Sequence, residues 1–339
     1  MRVTARDVAE RAGVSVSTVS RALSTPTTVS PGARRKVESA ARELGYEPNP
    51  TARGLVTGRT HAMGLVVPDL ENPFFAATTK AVQARAWSMG YALVVADSDE
   101  DPNHERRLAR KVSQQVDGLI LCSPRSSDAE LEALAGRVPV VLLHRGSGEL
   151  SHVVADNVEG VRIALRHLRA LGHRHIAYAG GPHRSWSDGQ RREGLTRAAD
   201  TFGDITIEDL GSFQPFFSGG VAAADLVLAS DATAVLVYND LMALGLLSRA
   251  GERGVDVPGG LSVASFDDIP LAGGVGVPLT TVAIPIGPLA RAAVDVLAHL
   301  IEDGAPARAA DSPLGHRLPV ELMVRETTGP VPSPTVPIR

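Results

Sequence analysis

The chain predicts a small N-terminal all-α helix-turn-helix head followed by an α/β body of doubly wound parallel sheet, and three observations carry that expectation. Apolar residues recur at helical spacing in three short N-terminal segments punctuated by glycine. From Met63 onward, apolar runs of strand length alternate with stretches of helix length. Charge divides the same way: residues 1–59 hold ten Arg or Lys against five Asp or Glu, whereas the remainder holds 24 basic and 33 acidic residues. The net charge of −4 over 339 residues therefore conceals a basic head on an acidic body. That asymmetry favours a phosphate backbone as partner of the head and argues against nucleic acid on the body.

Thr4 followed by Asp7 is a capping-box-like start, and Val8, Ala9 and Ala12 then repeat at helical spacing until Gly13. Ser15 can cap a second helix, Val16 to Leu23, with Val19, Ala22 and Leu23 as its inner stripe. Its polar residues Ser17, Ser20 and Arg21 fall on the outward face, where a DNA major groove would take them. Ser30-Pro31 reads as cap plus first helical residue of a third helix, which carries Val37, Ala40, Ala41 and Leu44 and closes at Gly45. Next, Asn49-Pro50 could open one or two helical turns to Val56. So short a helix, containing Gly54, does not hold alone; a plain Pro/Gly linker is the other reading.

In the body, MGLVVP, YALVVAD, DGLILC, VPVVLLH and HVVAD read as buried strands, separated by helices near 74–89, 102–115, 128–136 and 157–171. HIAYAGG, ATAVLVYND and LSVASFDD repeat the theme, with helices near 187–200, 218–230, 240–253 and 286–302. The last eleven residues contain four prolines and read as a disordered tail. One cysteine, Cys122 in GLILC, rules out an intrachain disulfide framework and reads as a core thiol. No run approaches 18 apolar residues and the N-terminus reads as a charged amphipathic helix, so a soluble cytoplasmic chain, without membrane contact, is expected.

Ligands of open parallel sheets bind beyond the carboxyl ends of the strands. There the sequence places Asn72, Phe74 and Phe75; His144 and Arg145; Asn239 and Asp240; Asp267 and Asp268. Aromatic faces for C–H surfaces, with amide, guanidinium and carboxylate groups for paired hydroxyls, are what a polyol needs. Catalysis finds little support: there is no nucleophile elbow, no phosphate-cradling Gly-Lys-Ser/Thr loop and no paired Cys or His-Glu-x-x-His metal spacing. No cofactor, metal or enzymatic activity is expected.

DVAERAGVSVSTVSRAL, VSPGARRKVESAARELGYEPNPTARGL, GLVVPDLENPFF, VYNDLMALG, SFDDIPLA, PLTTV and LPVELMVRETT together resemble the lactose-repressor (LacI/GalR) family of bacterial transcription regulators. The resemblance implies a head at 1–47, a hinge helix at 48–59 and a periplasmic-binding-protein-like core at 60–327. The core would divide into an N-subdomain (about 60–157 and 286–315) and a C-subdomain (about 158–285 and 316–327), crossing near Asp156, Ile284 and Arg317. It implies a homodimer on a pseudo-palindromic operator, with a tetramer disfavoured because the tail lacks leucine heptads. Val16, Ser17 and Arg21 align with base-reading positions, Arg21 suiting a guanine edge and Val16 a thymine methyl. Thr4, Ser15, Thr18, Ser20, Ser30 and Asn49 would hold the DNA backbone. Ala52, Arg53 and Leu55 would enter the minor groove, Leu55 as the wedge that bends the duplex.

For the effector, family position adds Arg191, Phe213 and Ile284 to the strand-end residues, with Trp186 as an extra stacking face. Two departures matter: His144-Arg145 stands where sugar-binding members carry Asp-Arg, and Ile284 where many carry Gln. The lost carboxylate and amide point to a modified, less hydroxylated or anionic effector, although His144 could itself serve a sugar. A repressor of carbohydrate or related catabolic genes, released by its effector, is the expected function. Corepressor-dependent or activating behaviour is the alternative within the family. A transport solute-binding protein is the competitor outside it, one that would have no use for the basic head.

Overall fold

The structure is a computed structural model, and it describes residues 3–24, 26–46, 59–274, 276–303 and 315–331. The chain divides into two compact units, one comprising Met1–Ala62 with Gln115–Asp117 and the other the remainder.

The first unit holds helices α1 (Ala5–Ala12), α2 (Val16–Ser24) and α3 (Pro31–Leu44), with a 3-10 turn at Pro26–Thr28. The caps read from the sequence are made. Thr4 and Asp7 exchange the reciprocal bonds of a capping box, Ser15 Oγ accepts from Thr18 N at 3.1 Å, and Ser30 Oγ accepts from Ala33 N at 3.3 Å. Gly13 closes α1 at φ +64°, a conformation in which a Cβ would be strained. Val8, Val19 and Val37 are fully buried among Ala9, Ala12, Ala22, Ala40 and Ala41. Each buried valine contributes about 1.5–3 kcal/mol, and the small alanines let three short helices approach closely enough to share one core.

The second unit carries two six-stranded sheets. The first orders β11-β5-β4-β3-β1-β2, from β1 (Ala62–Val67), β2 (Ala92–Asp97), β3 (Gly118–Cys122), β4 (Val140–Leu143), β5 (His152–Ala155) and β11 (Gly315–Leu318). Its helices are α4 (Pro73–Ser88), α5 (Pro102–Val112), α6 (Asp128–Ala135) and α12 (Ile286–Asp303). The second orders β12-β10-β9-β8-β6-β7, from β6 (His175–Gly180), β7 (Thr206–Ser212), β8 (Ala234–Val237), β9 (Ser262–Asp267), β10 (Thr280–Ala283) and β12 (Glu321–Met323). α7 (Asn157–Ala170), α8 (Trp186–Phe202), α9 (Phe217–Ala229), α10 (Asp240–Glu252) and the short α11 (Pro270–Gly274) accompany it. β1, β3, β4 and β8 are buried along their whole length, which is why they read as apolar runs; β9 is equally buried, its apolar residues broken by Ser262 and Ser265.

The chain leaves the first sheet after Ala155, returns to it after Ala283 and crosses again between Leu318 and Glu321. β11 pairs parallel with β5, so residues 316–318 stay with the first sheet rather than joining the second, as the expected boundary had it. β12 pairs antiparallel with β10. Four strands escape the apolar pattern. β7 and β11 are partly exposed edge strands with polar residues, and β12 is only three residues long. In β10 the buried Thr280 and Thr281 replace apolar residues, their hydroxyls engaged by Thr328 at 3.0 Å and Asp240 at 2.7 Å. The tail expected to be disordered from 329 is held in place at its start, Gly329 N donating to Ser262 Oγ and Val331 N to the Leu171 carbonyl, each at 3.0 Å, because the neighbouring segments offer backbone and hydroxyl partners; from 332 onward it lies outside the described residues.

Candidate functional site

Two places in the chain gather functional side chains. In the first unit, α2 presents Val16, Ser17 and Arg21 to solvent, Val16 being 47% exposed. An exposed valine at the first position of a helix contributes nothing to the core, whereas Val19 one turn on is fully buried. Arg21 folds back on its own helix, Nε donating to the Ser17 carbonyl at 3.2 Å. Ser15 Oγ lies 2.8 Å from both Ser17 Oγ and Thr18 Oγ1, so the start of α2 is a small hydroxyl cluster. Ser20 is half-buried beside this face. The hydroxyls of Thr4 and Ser30 serve as caps. Asn49, Ala52, Arg53 and Leu55 lie outside the described residues.

The second place is a cleft at the carboxyl ends of both sheets, partly open to solvent. Asn72, Phe74, Phe75, His144, Arg191, Asn239, Asp267 and Ile284, all expected there, line it. Helix α4 begins at its rim, where Asn72 caps the helix by accepting from Phe74 N at 3.0 Å. Phe74 meets Phe75 edge-on at 5.2 Å and the His144 ring at 5.0 Å between centroids, making an aromatic wall. His144 adopts a left-handed backbone, φ +61°, beyond β4. Its Nε2 is buried with no hydrogen-bond partner among the described residues. Burial, helped by the nearby Arg191 guanidinium, holds this imidazole down at about 3, so the ring is neutral.

Arg191 projects from α8 and is 4% exposed. Nε donates to Asn157 Oδ1 at 2.9 Å, Nη1 donates to the Tyr238 carbonyl, and the guanidinium stacks 3.9 Å from the Phe266 ring centroid. Asp267, at the end of β9, has φ +116° and a buried carboxylate that makes no hydrogen bond among the described residues. Burial pushes its carboxyl well above the ordinary range, against the pull of Arg191. Asn239 is largely spent: Oδ1 caps α10 through Met242 N at 2.9 Å, and Nδ2 donates to the Pro215 carbonyl at 3.0 Å.

Three expected residues are aimed elsewhere. The Arg145 guanidinium is drawn off by acceptors on the neighbouring segment, the Pro124 carbonyl at 2.9 Å, the Ser126 carbonyl at 2.5 Å and Asp128 at 2.7 Å. Trp186 covers Gly146, where a Cβ would fall 2.7 Å from the indole. Phe213 packs half-buried against the core. Nor do the strand-end carboxylates Asp240 and Asp268 line the cleft. Asp240 turns fully inward, accepting from Ser265 Oγ, Thr281 Oγ1 and Ile269 N, while Asp268 pairs with Arg325 at 2.6 Å. Conversely, Glu100, Ser123, Ala155, Asn157, Ser187, Pro215 and Tyr238 line the cleft without having been expected. The strand-end rule itself, applied after β2, β3 and β5, would have found Glu100, Ser123 and Asn157.

Among the described residues, no group of three His, Cys, Asp or Glu side chains could hold a metal ion, and no helix is long and apolar enough to cross a membrane. His173 is structural, bonded to Thr233 Oγ1 at 2.8 Å and the Gly329 carbonyl at 3.0 Å.

Comparison with known proteins agrees with this division. Residues 4–49 match the model of bacterial regulatory proteins, lacI family, and residues 165–328 match a periplasmic binding protein-like domain. The HTH-type transcriptional regulator GalS of Salmonella typhimurium is 38% identical over 301 residues, 87% of this chain and 88% of that protein. A Lac repressor dimer bound to operator and the anti-inducer ONPF superposes with a TM-score of 0.84 at 29% identity, over 97% of this chain and 100% of that one. The transcriptional regulator CelR in complex with cellobiose gives 0.70 at 30% identity, over 96% and 100%. A helix-turn-helix head and a two-sheet core, matched together along nearly the whole chain, place this protein in the lacI family of bacterial regulatory proteins, as a DNA-binding transcriptional regulator.

Proposed function

We propose that the protein is a cytoplasmic homodimeric repressor of carbohydrate or related catabolic genes, released from a pseudo-palindromic operator by a small-molecule effector held in the cleft. The observation that carries this reading is the cleft itself: aromatic rings, a buried guanidinium and an unpaired carboxylate converge where two sheets joined by three crossings meet. A ligand bridging both sheets favours one relative arrangement of them over others, and only such differential binding shifts a conformational equilibrium. The cellobiose complex of CelR and the operator complex of the Lac repressor support the two halves of the reading. In the head, the exposed Val16, Ser17 and Arg21 contact base edges. Ser15, Thr18, Ser20, Thr4 and Ser30 fix register on the backbone. Asn49 and the minor-groove residues Ala52, Arg53 and Leu55 complete the interface at the operator centre. No catalytic step is assigned to any residue.

The test is selection of bound duplexes from a random pool by the purified protein, repeated with a panel of sugars present. The expected result is a pseudo-palindrome whose enrichment one sugar weakens; a sugar that strengthens it would make the protein corepressor-dependent. No enrichment under any condition would overturn the reading. Arg21→Ala then relaxes discrimination at one base pair per half-site by about 1–3 kcal/mol, whereas a uniform loss across sequences would make Arg21 a phosphate contact.

A further inference from the structure

With a neutral His144 after β4, the first sheet's wall would lack an anionic hydroxyl partner, yet that wall contains one. Glu100, in the turn after β2, lines the cleft with a side chain only 9% exposed. It enters from the first sheet, while Asp267 enters from the second. Asp99 and Glu100 are consecutive non-glycine residues in the left-handed region, at φ +55° and +52°. Such residues cost about 1–3 kcal/mol each and persist only where the surroundings fix them. Here Glu100 N donates to the Pro68 carbonyl at 2.7 Å, Asp99 N to Asp97 Oδ1 at 2.9 Å and Asp101 N to the Ser98 carbonyl at 3.0 Å.

The carboxylate is held by Arg125, itself 4% exposed in its side chain, through Nε at 3.1 Å and Nη2 at 3.2 Å. Arg125 is anchored in turn by Nη1 bonds to the Ser123 carbonyl at 3.0 Å and Ser123 Oγ at 3.2 Å. A carboxylate offers about four acceptor sites, and this fork uses two. Burial raises the Glu100 carboxyl, and Arg125 opposes that rise. Two further groups in the same cleft await a partner: the buried His144 Nε2 and the Asp267 carboxylate.

We propose that Glu100, positioned by Arg125, is a specificity-determining residue of the effector cleft, accepting a hydroxyl from an uncharged polyhydroxy ligand whose other end donates to Asp267. This rests on the effector reading above. It narrows the ligand class because the Arg125 charge is already met by Glu100, which leaves Arg191, bonded to the neutral acceptors Asn157 Oδ1 and the Tyr238 carbonyl, as the cation that faces the ligand. A phosphorylated or carboxylated sugar would set its charge beside the carboxyl groups of Glu100 and Asp267, against the single Arg191 guanidinium.

The experiment is calorimetric titration of the full-length protein with a panel of free pentoses, hexoses and disaccharides, their phosphates, and the monodeoxy counterparts of the tightest binder. For that sugar, Glu100→Gln is expected to lose about tenfold or more in affinity. One monodeoxy counterpart, lacking the hydroxyl that Glu100 accepts, should bind wild type and Glu100→Gln equally. A merely structural role would weaken every ligand alike, which would overturn the proposal. Because Arg125 loses its counter-ion in the single variant, Glu100→Gln/Arg125→Met is measured beside it, with thermal unfolding as the check on folding; it should show the same loss. Retained affinity in both variants, with Asp267→Ala abolishing binding, would overturn the role of Glu100 and leave the cleft standing. Tighter binding of a sugar phosphate would overturn the uncharged class. No binding by the wild type would overturn the effector reading and this proposal with it.

Discussion

The two sheets of the core repeat one strand order, β2-β1-β3-β4-β5 against β7-β6-β8-β9-β10, each extended by a sixth strand from the C-terminal segment. They furnish the cleft quite differently. The first sheet supplies rings, Phe74, Phe75 and His144, and a carboxylate already neutralised by Arg125. From the second come Arg191, stacked on Phe266 and bonded to Asn157, and the unbonded carboxylate of Asp267. Topology dictates that strand ends and helix starts converge, but not which side chains stand there. The carboxylate of one wall is paired without a ligand; that of the other is not.

The largest disturbance should come from the residue that holds the second wall together. Arg191→Met removes the bonds to Asn157 and the Tyr238 carbonyl and leaves the buried Asp267 without its nearest cation. A loss of about 3 kcal/mol in unfolding free energy is expected, because the buried Asn157 and Tyr238 acceptors are left unpaired and the stacking on Phe266 is lost. Denaturant titration measures it. An unchanged midpoint would mean that the wall does not depend on the pair.

Asp267→Ala should separate stability from function. The carboxylate has no hydrogen bond to lose, and its removal relieves a desolvation cost, so the empty protein should unfold no earlier than wild type. Affinity for the effector should nevertheless fall about 100-fold, as when one partner of a buried charged hydrogen bond is truncated. Titration with the inducing sugar, alongside operator binding without it, reads both effects. A variant that kept its response would move the recognition chemistry to the first wall.

How much of this was legible in the sequence follows from what each segment buries. Strands covered on both faces, such as GLILC and VPVVLLH, can be read from apolar runs, and capped helices from Thr4, Ser15 and Ser30. β7, β11 and β12 could not be read that way, because edge strands tolerate polar residues and make most of their bonds on one side. The cleft was half legible. The strand-end rule locates the loops, but it does not say which way a long side chain turns. Arg145 is captured by the 124–128 segment and Asp240 by three donors on β9, β10 and the following turn. Glu100 stands where the strand-end rule after β2 would look, but the left-handed turn at Asp99 and Glu100 that accompanies its entry into the cleft is one a glutamate rarely adopts.

The smallest expected effect compares the walls by proton uptake. His144, on the first wall, is held neutral down to about 3, below its ordinary 6.5. The unfolded chain therefore takes up a proton that the folded chain refuses, so this contribution to stability is present above pH 6.5 and is lost as pH falls below it. Asp240, behind the second wall, is pushed by burial up to about 6 from 3.8, despite its bonds to Ser265, Thr281 and Ile269. Its folded form keeps a proton that the unfolded chain releases, so its contribution is present at low pH and is lost as pH rises through 6. Between pH 7 and 5 the first costs about 2 kcal/mol and the second returns about 1 kcal/mol. His144→Phe keeps a buried ring against Phe74 and removes only the titrating nitrogen pair. In urea unfolding, the change in that variant's stability from pH 7 to 5 should be about 2 kcal/mol more favourable than the wild-type change, every other titrating group being common to both proteins. Parallel pH profiles for the two proteins would show that the His144 imidazole is not shielded from protons in the folded cleft, and the contrast between a ring-lined wall and an ionic one would fail at that residue.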